Sequence, residues 1–539
     1  MDGFNQTHYK TIIIGAGPAG LQMAYCLARR GEQYVVLEAA HEVGEFFTTF
    51  PRHRKLISIN KVHTGFDDTE INLRWDWNSL LSDDDAMLFR HFSKKYFPCA
   101  DDMVKYLKAF SSHFNLNVRK NSEVSRIAKS GKFEISLTGG SVLTCDILVV
   151  ATGRSQPNVP EIPGIELAEP YHSVSTDPDD FLGQRVFIIG KGNSAFETAD
   201  NLVETTAAIH LASPENIVLA WKSHYVGHLR AVNNNVLDTY QLKSQNTIID
   251  GVIESITPRN GKLVVNVLYS HAHGQRIEVQ VDLVILCVGF KFNTGIFDPD
   301  SCPDLSACGT FPAMTSEWES VNVKDMYFTG TLMHSRDYEK TFSGFIHGFR
   351  YNIEVLDRFL HRKYRGRELP GLLTANDPRV LFEQIYRRVH TNSSLFQQPG
   401  FLCDIIALPE VSTSPECQYF KDLPVDYVHD EDFGHCKHYL MLTMEYGKID
   451  YADPFNIERV PEQGNISAFI HPVLRKFKDQ QLISEYHIPE DLENNWYQKL
   501  YMAPFYDYLC EVLEVDSLQH DLDSVSPPHT MLKDMTNCR

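Results

Sequence analysis

Short apolar runs that end in glycine recur along the chain, and they predict the framework of the fold. Ile12-Ile-Ile14 leads into Gly15-Ala-Gly-Pro-Ala-Gly20, and Val186-Phe-Ile-Ile189 leads into Gly190-Lys-Gly-Asn-Ser-Ala195. A short apolar run that is bounded by a turn signal is typical of a buried strand. A helix-like stretch follows each turn, the first running from about Pro18 to Arg30. Two such strand–turn–helix units predict two dinucleotides, and hence electron transfer between a nicotinamide and a flavin.

The first glycine motif assigns a separate task to each glycine. Gly15 allows the tight turn, Gly17 lets the backbone approach a pyrophosphate, and Gly20 lets the helix pack closely on the strand. The helix that opens at Pro18 and Ala19 directs its positive end towards the phosphates. The next predicted strand, Val35-Val-Leu, ends at Glu38, which lies 18 residues past Gly20, about where a ribose-binding carboxylate is expected.

The second motif carries Gly190, Gly192, Asn193 and Ser194, with Ala195 at the tolerant third position. Its following strand, predicted at 208–211, does not end in an acid. Because an acid there would repel a 2′-phosphate, its absence favours NADPH over NADH. Lys222, Arg230 and His210 are candidates for the positive charge, and the alternative for each is an ordinary surface residue.

Two further strands end in glycine turns and mark where the chain leaves one domain and returns to it. Asp146–Gly153 brings Ala151, Thr152 and Gly153 to the first cofactor, and Asp282–Gly289 brings Gly289 to the junction. A strand at 326–330 then leads through Gly330 towards Phe345, and such late segments of a flavin domain commonly return to the isoalloxazine ring.

These signals predict an α/β fold with two Rossmann-like dinucleotide-binding domains. The FAD domain is discontinuous, at 1–155 and 285–369, and the NADPH domain at 156–284 is inserted into it. Residues 370–539 carry no cofactor motif and are predicted to form a mostly helical extension, with a loosely ordered polar end at 517–539.

Composition narrows the function. The chain has 539 residues and a net charge of −20, so nucleic acid is not an expected partner. No run approaches the 18 apolar residues of a membrane-spanning helix, and the first ten residues lack the features of a signal peptide. We therefore expect a cytoplasmic enzyme that acts on a small molecule without membrane attachment, with a homo-oligomer left open.

Cysteine spacing bears on where the electrons go. None of the eleven cysteines forms a Cys-x-x-Cys or Cys-x-x-x-x-Cys pair, so the redox-active dithiol of disulfide-reducing flavoenzymes is missing. Histidines and cysteines also lack metal-site spacing, and no metal is expected. O2 becomes the leading electron acceptor.

The motifs resemble those of class B flavin-dependent monooxygenases. The first glycine motif matches their FAD motif, Gly190-Lys-Gly-Asn-Ser194 matches their NADPH motif, and Ser58-Ile-Asn60 is similar to an Asn-bearing loop near flavin N5. The full fingerprint of the Baeyer–Villiger enzymes is missing. Several segments, among them Pro51–Lys61 and Gly344–Tyr351, resemble more closely the FAD-dependent oxidoreductase domain-containing proteins, whose vertebrate member is an ER-lumen flavoprotein.

The resemblance implies FAD and NADPH as cofactors and oxygenation of a soft nucleophile through a C4a-hydroperoxyflavin. An amine or amino acid, or a thioether, would take the oxygen, and Asn60 would support the oxygenated flavin. The alternative for Asn60 is that it caps a turn. The alternatives for the whole chain are an NAD(P)H oxidase, a reductase with a non-oxygen acceptor, and a flavoprotein binding scaffold.

Overall fold

The computed structural model describes residues 6–239, 245–410, 414–430, 436–447, 460 and 463–515. The polar end predicted at 517–539 lies outside these residues. Three large sheets, two of seven strands and one of six, carry the described part of the chain.

The first sheet surrounds the strand that precedes the first glycine motif. Its order is β3-β2-β1-β6-β5-β4, with β1, β2, β3 and β6 parallel and β4 to β6 antiparallel. The isoleucines of β1 are buried on both faces, as central parallel strands require. The strands are β1 His8–Ile14, β2 Tyr34–Leu37, β3 Val118–Arg119, β4 Val124–Ser130, β5 Lys132–Leu137 and β6 Val142–Val150; the helices are α1 Pro18–Arg29, α2 Phe46–Thr49, α3 Thr69–Asn72 and α4 Ala100–His113.

The second sheet repeats this plan around the second motif, in the order β13-β12-β11-β10-β9-β14-β8. Pro258, Asn260 and Gly261 predict a hairpin turn between Thr257 and Lys262, and the structure confirms it: Asn260 and Gly261, with φ of 53° and 75°, join β11 to β12. The strands are β7 Gln156–Pro157, β8 Glu169–Pro170, β9 Arg185–Ile189, β10 Ala208–Ser213, β11 Asn246–Arg259, β12 Lys262–Tyr269, β13 Arg276–Val281, β14 Leu283–Leu286 and β15 Phe290–Lys291; the helices are α5 Asn193–Leu202 and α6 Ala220–Ser223. Strands β7 and β15 pair with each other, apart from the large sheets.

The chain then returns to the first sheet. Strand β16 Met326–Phe328 pairs in parallel with β6 and leads through a short 3₁₀ helix, Gly330–Arg336, to α7 Ile346–Arg365. The predicted α/β fold with two dinucleotide-binding units is thereby confirmed. The domain boundaries remain a prediction, and β14 crosses the one placed between 284 and 285.

The C-terminal region needs a correction. Helices are present, but the framework is a six-stranded antiparallel sheet in the order β17-β19-β18-β20-β21-β22, so the described part of the region is mixed α/β rather than mostly helical. Its elements are β17 Gly371–Ala375, α8 Pro378–Thr391, α9 Ser394–Gln397, β18 Leu402–Ala407, β19 Glu416–Pro424, α10 Val425–His429, β20 His438–Glu445, β21 His471–Lys478, β22 Gln481–His487 and α11 Lys499–Val512.

The sequence did not predict this sheet because its central strands are buried on both faces. Strand β20 has buried side chains at six consecutive positions, so it lacks the alternation that identifies a half-exposed strand. Its leucines and methionines also favour helices in isolation, and tertiary packing overrides that preference.

One apolar core joins this region to the first sheet. It runs from Ile13 through Leu356 of α7 to Ile405 of β18 and Phe505 of α11. The C-terminal region is thus packed onto the layer of helices that carries the first motif.

Candidate dinucleotide sites

Packing explains two glycines of the first motif, and open space explains the third. Gly15 has φ of +101°, and a Cβ there would lie 2.8 Å from Ala151 O; a Cβ on Gly20 would lie 1.9 Å from Gly15 O. A Cβ on Gly17 would meet no heavy atom within 4 Å. Gly15 and Gly20 therefore hold strand and helix together, whereas Gly17 borders space that a pyrophosphate can fill.

The N-terminus of α1 opens onto that space. Gly17 is its N-cap without a side-chain cap, and Pro18 occupies the first turn. The free N–H groups and the helix dipole favour an anion there. Gly330 packs directly against the first turn of α1, because a Cβ on it would lie 2.5 Å from Ala19 Cβ.

Glu38 follows β2 directly and points back at the motif. Its carboxylate accepts hydrogen bonds from Ala16 N at 2.7 Å and Ala40 N at 2.9 Å, and the residue is only 8% exposed. A carboxylate has about four acceptor positions, so capacity remains for ribose hydroxyls. Nearby in sequence to Gly330, the buried Thr329 Oγ1 has no hydrogen-bond partner among the described residues. The glycines, helix end and carboxylate together suit an adenine dinucleotide such as FAD.

The residues predicted after β6 lie beside this motif. Ala151 N donates to Ile14 O at 2.9 Å, which places Ala151, Thr152 and Gly153 at the carboxyl end of the central strands. Gly153 has φ of +62°, and a Cβ there would meet nothing within 4 Å. This edge of a parallel sheet is where ligands bind in such folds.

The second motif is built in the same register. Gly190 N donates to Ala212 O at 2.8 Å just as Gly15 N donates to Leu37 O at 2.8 Å. Ser213, the residue after Ala212, therefore stands where Glu38 stands in the first unit. A hydroxyl at this position neither repels a 2′-phosphate nor accepts from a ribose as strongly as a carboxylate does.

The second turn is as tight as the first. A Cβ on Gly190 would lie 2.2 Å from Cys287 O, whereas one on Gly192 would meet nothing within 4 Å. Helix α5 begins at Asn193, followed by Ser194 and the buried Ala195. Gly289, two residues past Cys287, accepts from Asn158 N at 3.0 Å. The residues predicted for the nicotinamide nucleotide thus lie together at one sheet edge.

Asn193 has a task that its motif position did not reveal. Its amide donates to Gly227 O at 3.2 Å and to His228 O at 2.9 Å, and its Oδ1 accepts from Arg230 N at 2.9 Å. The side chain therefore fastens the loop that follows α6 to the second motif.

Two of the three residues proposed to bind the 2′-phosphate do not offer it a free positive charge. Burial lowers the pKa of His210 to about 4, so this ring is neutral near neutral pH. Arg230 donates to Ile57 O at 3.0 Å and lies over the Trp77 ring at 5.2 Å, which directs it towards the first unit. Lys222 lies in α6.

An aromatic cluster, defined here as Trp77, Tyr225, His334, Phe345 and His347, lies where the two units meet. Trp77 stacks on His347 with centroids 4.4 Å apart, and His347 stacks on Phe345 at 5.8 Å. Phe345 in turn lies 6.0 Å from both Tyr225 and His334. Only Phe345 was predicted as a site residue. Glycine motifs do not mark the other four, and the single available signal was a His334-x-x-Asp337 spacing just past Gly330.

His347 is unusual within this cluster. It is 2% exposed, and neither ring nitrogen has a hydrogen-bond partner among the described residues. Burial first, and then the charges of Arg350 and Arg230, hold its pKa well below the usual value, so the ring is neutral. A buried imidazole without partners costs free energy, and a bound ligand that supplies a partner would recover it.

Asn60 is buried and follows Ile59, whose carbonyl accepts from the backbone N–H of Trp77 in this cluster at 3.0 Å. Its Nδ2 donates to Ser93 O at 2.9 Å and to Lys95 O at 3.2 Å, and its backbone N–H donates to Tyr96 O. Both amide protons therefore tie the loop of Asn60 to the segment at 93–95. The carbonyl Oδ1 takes no part in these two bonds.

The described residues contain no group of three His, Cys, Asp or Glu side chains arranged to hold a metal ion. No helix among them combines the length and apolar character that crossing a bilayer requires.

Comparisons with known proteins agree with this geometry. A family model described as "Pyridine nucleotide-disulphide oxidoreductase" matches residues 12–330. The chain is 37% identical over 577 residues to FAD-dependent oxidoreductase domain-containing protein 2 of Mus musculus, covering 95% of this chain and 85% of that protein. It is 27% identical over 367 residues to the flavin-containing monooxygenase FMO GS-OX4 of Arabidopsis thaliana, covering 59% and 72%.

Among solved structures, bacillithiol disulfide reductase from Staphylococcus aureus is similar with a TM-score of 0.51 and 20% identity, covering 66% of this chain and 99% of that one. This last likeness concerns the fold.

Proposed function

Because the chain belongs to the pyridine nucleotide-disulphide oxidoreductase family and is a flavin-type oxidoreductase, we propose that it is an NADPH-dependent FAD monooxygenase. Its substrate is a small soft nucleophile, either an amine or amino acid that is N-hydroxylated or a thioether that is S-oxygenated. The observation that carries the proposal is the pair of equivalent glycine motifs around a buried aromatic cluster, in a chain without a Cys-x-x-Cys pair.

In this proposal each motif holds one nucleotide. The turn at Gly17 and the first turn of α1 receive the pyrophosphate of FAD, and Glu38 receives its ribose. The turn at Gly192 and the first turn of α5 receive NADPH, with Ser213 leaving room for the 2′-phosphate. Bound FAD would supply hydride acceptance and O2 activation.

The aromatic cluster supplies the surroundings for the reaction. Tyr225, His334 and His347 are buried and Trp77 and Phe345 are partly buried, so the cluster limits the access of water to a reaction beside it. Asn60 lies on the adjoining loop, and we propose that its Oδ1 supports the oxygenated form of the bound flavin. Its amide protons hold the loop, so a role in orientation is the part of that proposal best supported by the contacts.

The cysteines weigh against electron transfer to a protein disulfide. The ten described cysteines are all free, and burial raises the pKa of Cys287, which lies against the second motif, to about 12. A thiol with so high a pKa is a poor nucleophile at neutral pH. Oxygen is therefore the acceptor that we favour.

Coupling measurements test the proposal. The purified protein is assayed for bound FAD and then for NADPH consumption, hydrogen peroxide and a mass gain of one oxygen atom across a panel of amines and thioethers. A monooxygenase consumes NADPH faster with its substrate and releases little peroxide. Steady peroxide without an oxygenated product would identify an NAD(P)H oxidase, and negligible turnover with all compounds would identify a binding scaffold; either would overturn the proposal.

Asn60 is tested separately with the Asn60→Ala variant. We expect it to retain FAD and reduction by NADPH but to form product about 10²-fold more slowly and to release peroxide. Product coupled to NADPH as well as in the parent would show that Asn60 only holds its loop.

A further inference from the structure

Three buried side chains form a hydrogen-bonded chain that the two glycine motifs do not explain. Tyr225 Oη lies 2.7 Å from His334 Nε2, and His334 Nδ1 lies 3.0 Å from Asp337 Oδ1. Tyr225, His334 and Asp337 are 7%, 3% and 2% exposed. Three polar groups buried in one line are costly unless each bond is made, and here each is.

The partners of Asp337 fix the direction of these bonds. Its other oxygen accepts from Thr341 Oγ1 and from Ser343 N, so the carboxylate acts as an acceptor throughout. His334 Nδ1 must then carry the proton that Asp337 receives. This leaves Nε2 as an acceptor, and the Tyr225 hydroxyl donates to it.

The chain crosses from one motif to the other. Tyr225 belongs to the loop that Asn193 of the second motif fastens through Gly227 O and His228 O. His334 belongs to the 3₁₀ helix that begins at Gly330, which packs against Ala19 of the first motif. Phe345, at the start of α7, touches both rings. The Tyr225–His334 bond thus lies at the place where the two nucleotides are proposed to meet.

We infer that Tyr225, His334 and Asp337 form a proton relay at the junction of the two motifs. Tyr225 Oη accepts a proton from the reacting group while it passes its own proton to His334 Nε2. The imidazolium so formed is stabilised by Asp337 and later returns the proton by the reverse path, so no proton is gained or lost over the cycle. The inference rests on the proposed function only for the reaction that the relay serves.

The surrounding charges suit such a relay. Burial is the main cause that raises the pKa of Tyr225 well above its usual value, so the phenol keeps its proton unless His334 accepts it. Arg154 faces the phenol from the loop after β6, and Tyr338 and Glu339 face it from the segment after the 3₁₀ helix. The ring centroid of His228 lies 4.9 Å from that of Tyr225. Burial lowers the pKa of His228, so it adds no positive charge near neutral pH.

A pair of variants separates a relay from a simple latch between the motifs. His334→Gln can still accept from the Tyr225 hydroxyl but cannot take its proton, whereas Asp337→Asn donates to Nδ1 and reverses the tautomer. Tyr439→Phe is the matched control, since it removes the hydroxyl of another buried tyrosine, one that bonds Gln480 at 2.9 Å in the C-terminal region.

We expect His334→Gln and Asp337→Asn to keep their FAD and their thermal midpoint. Both should lower the rate of product formation about 10²-fold and remove one ionisation from its pH profile, and Tyr439→Phe should change neither. Proton NMR of the purified protein gives a readout that does not depend on turnover: the His334 Nδ1–H held by Asp337 should give a downfield resonance that His334→Gln lacks.

Each other result would overturn the relay. Product formation by His334→Gln within threefold of the parent, with the parent's pH profile, would leave only a latch. Absence of the downfield resonance from the parent would contradict the Asp337–His334 bond itself. If the parent does not oxidise NADPH at all, the proposed function fails, and the resonance still reports on the hydrogen-bonded chain.

Discussion

The two glycine motifs share one backbone plan but differ in how each position is filled. Gly15 and Gly190 donate the same backbone hydrogen bond to the neighbouring strand. A Cβ on either glycine would also clash with a backbone carbonyl, that of Ala151 or that of Cys287. The first unit then places Gly20 where the second places Ala195, and Glu38 where the second places Ser213. In our proposal the shared plan positions a dinucleotide in each unit, and the differing side chains decide which dinucleotide binds and how closely the helix packs against the turn.

The largest expected effect concerns the close packing of α1 against the turn at Gly15. In Gly20→Ala, the added methyl would lie 1.9 Å from Gly15 O, so α1 must move away from the turn. Overpacking of this kind costs about 1–3 kcal/mol, and it displaces the N–H groups that would hold a pyrophosphate. We expect FAD content, read from flavin absorbance of the purified protein, to fall at least about tenfold.

The matched change in the second unit is Ala195→Gly, which removes a methyl from α5 and should leave the yellow protein intact. A Gly20→Ala protein as yellow as the parent would mean that the first motif does not hold the flavin.

The next effect concerns nucleotide preference. Ser213→Glu places a carboxylate at the position of Glu38, where it repels a 2′-phosphate and accepts from a free ribose hydroxyl. We expect the ratio of kcat/KM for NADPH to that for NADH to fall about 10- to 100-fold, or about 1.4–2.7 kcal/mol. Ser213→Gln has the same size without the charge and should keep most of the preference. An unchanged ratio in Ser213→Glu would place the 2′-phosphate elsewhere.

The smallest effect concerns the fifth residue past the middle glycine, which is Gln22 in one unit and Glu197 in the other. Gln22 is neutral and bonds Leu81 through both ends of its amide. Burial raises the pKa of Glu197 to about 7, against smaller lowering effects of the Tyr171 hydroxyl and the His53 N–H. The folded protein therefore holds this proton more tightly than the unfolded chain does between about pH 4.5 and 7.

The stabilisation linked to that proton is complete below about pH 4.5 and is lost as the pH rises through about 7. Glu197→Gln should remove this dependence. We expect the free energy of unfolding of the variant, relative to the parent, to rise by about 1–2 kcal/mol between pH 5 and pH 8 in denaturant titrations. A constant difference between the two proteins would show that Glu197 is ionised throughout.

The sequence predicted those elements that depend on residues close together in the chain. The tight turn at Gly15, the helix from Pro18 and the Asn260-Gly261 hairpin each depend on a few consecutive residues, and the structure has them where the sequence places them. Strand β20 was missed because its burial comes from elements distant in sequence.

The same limit applies to the site. Tyr225 and His334 are 109 positions apart, and no spacing rule connects them. Asn193 matched its motif, yet its side chain holds a loop, a task that only the folded chain reveals. Patterns of neighbouring residues thus predict the two glycine turns, whereas the side-chain contacts between the two units depend on residues far apart in sequence.

The loop after α6 also limits how the molecule can move. Besides the Tyr225–His334 bond, His224 stacks on Tyr446 of the C-terminal region at 4.3 Å, and Arg230 bonds the backbone of the first unit at Ile57. Rotation of one nucleotide-binding half against the other would have to break all three contacts at once. A hinge that swings the two units apart is therefore disfavoured, and in our proposal the two nucleotides would react within a fixed frame.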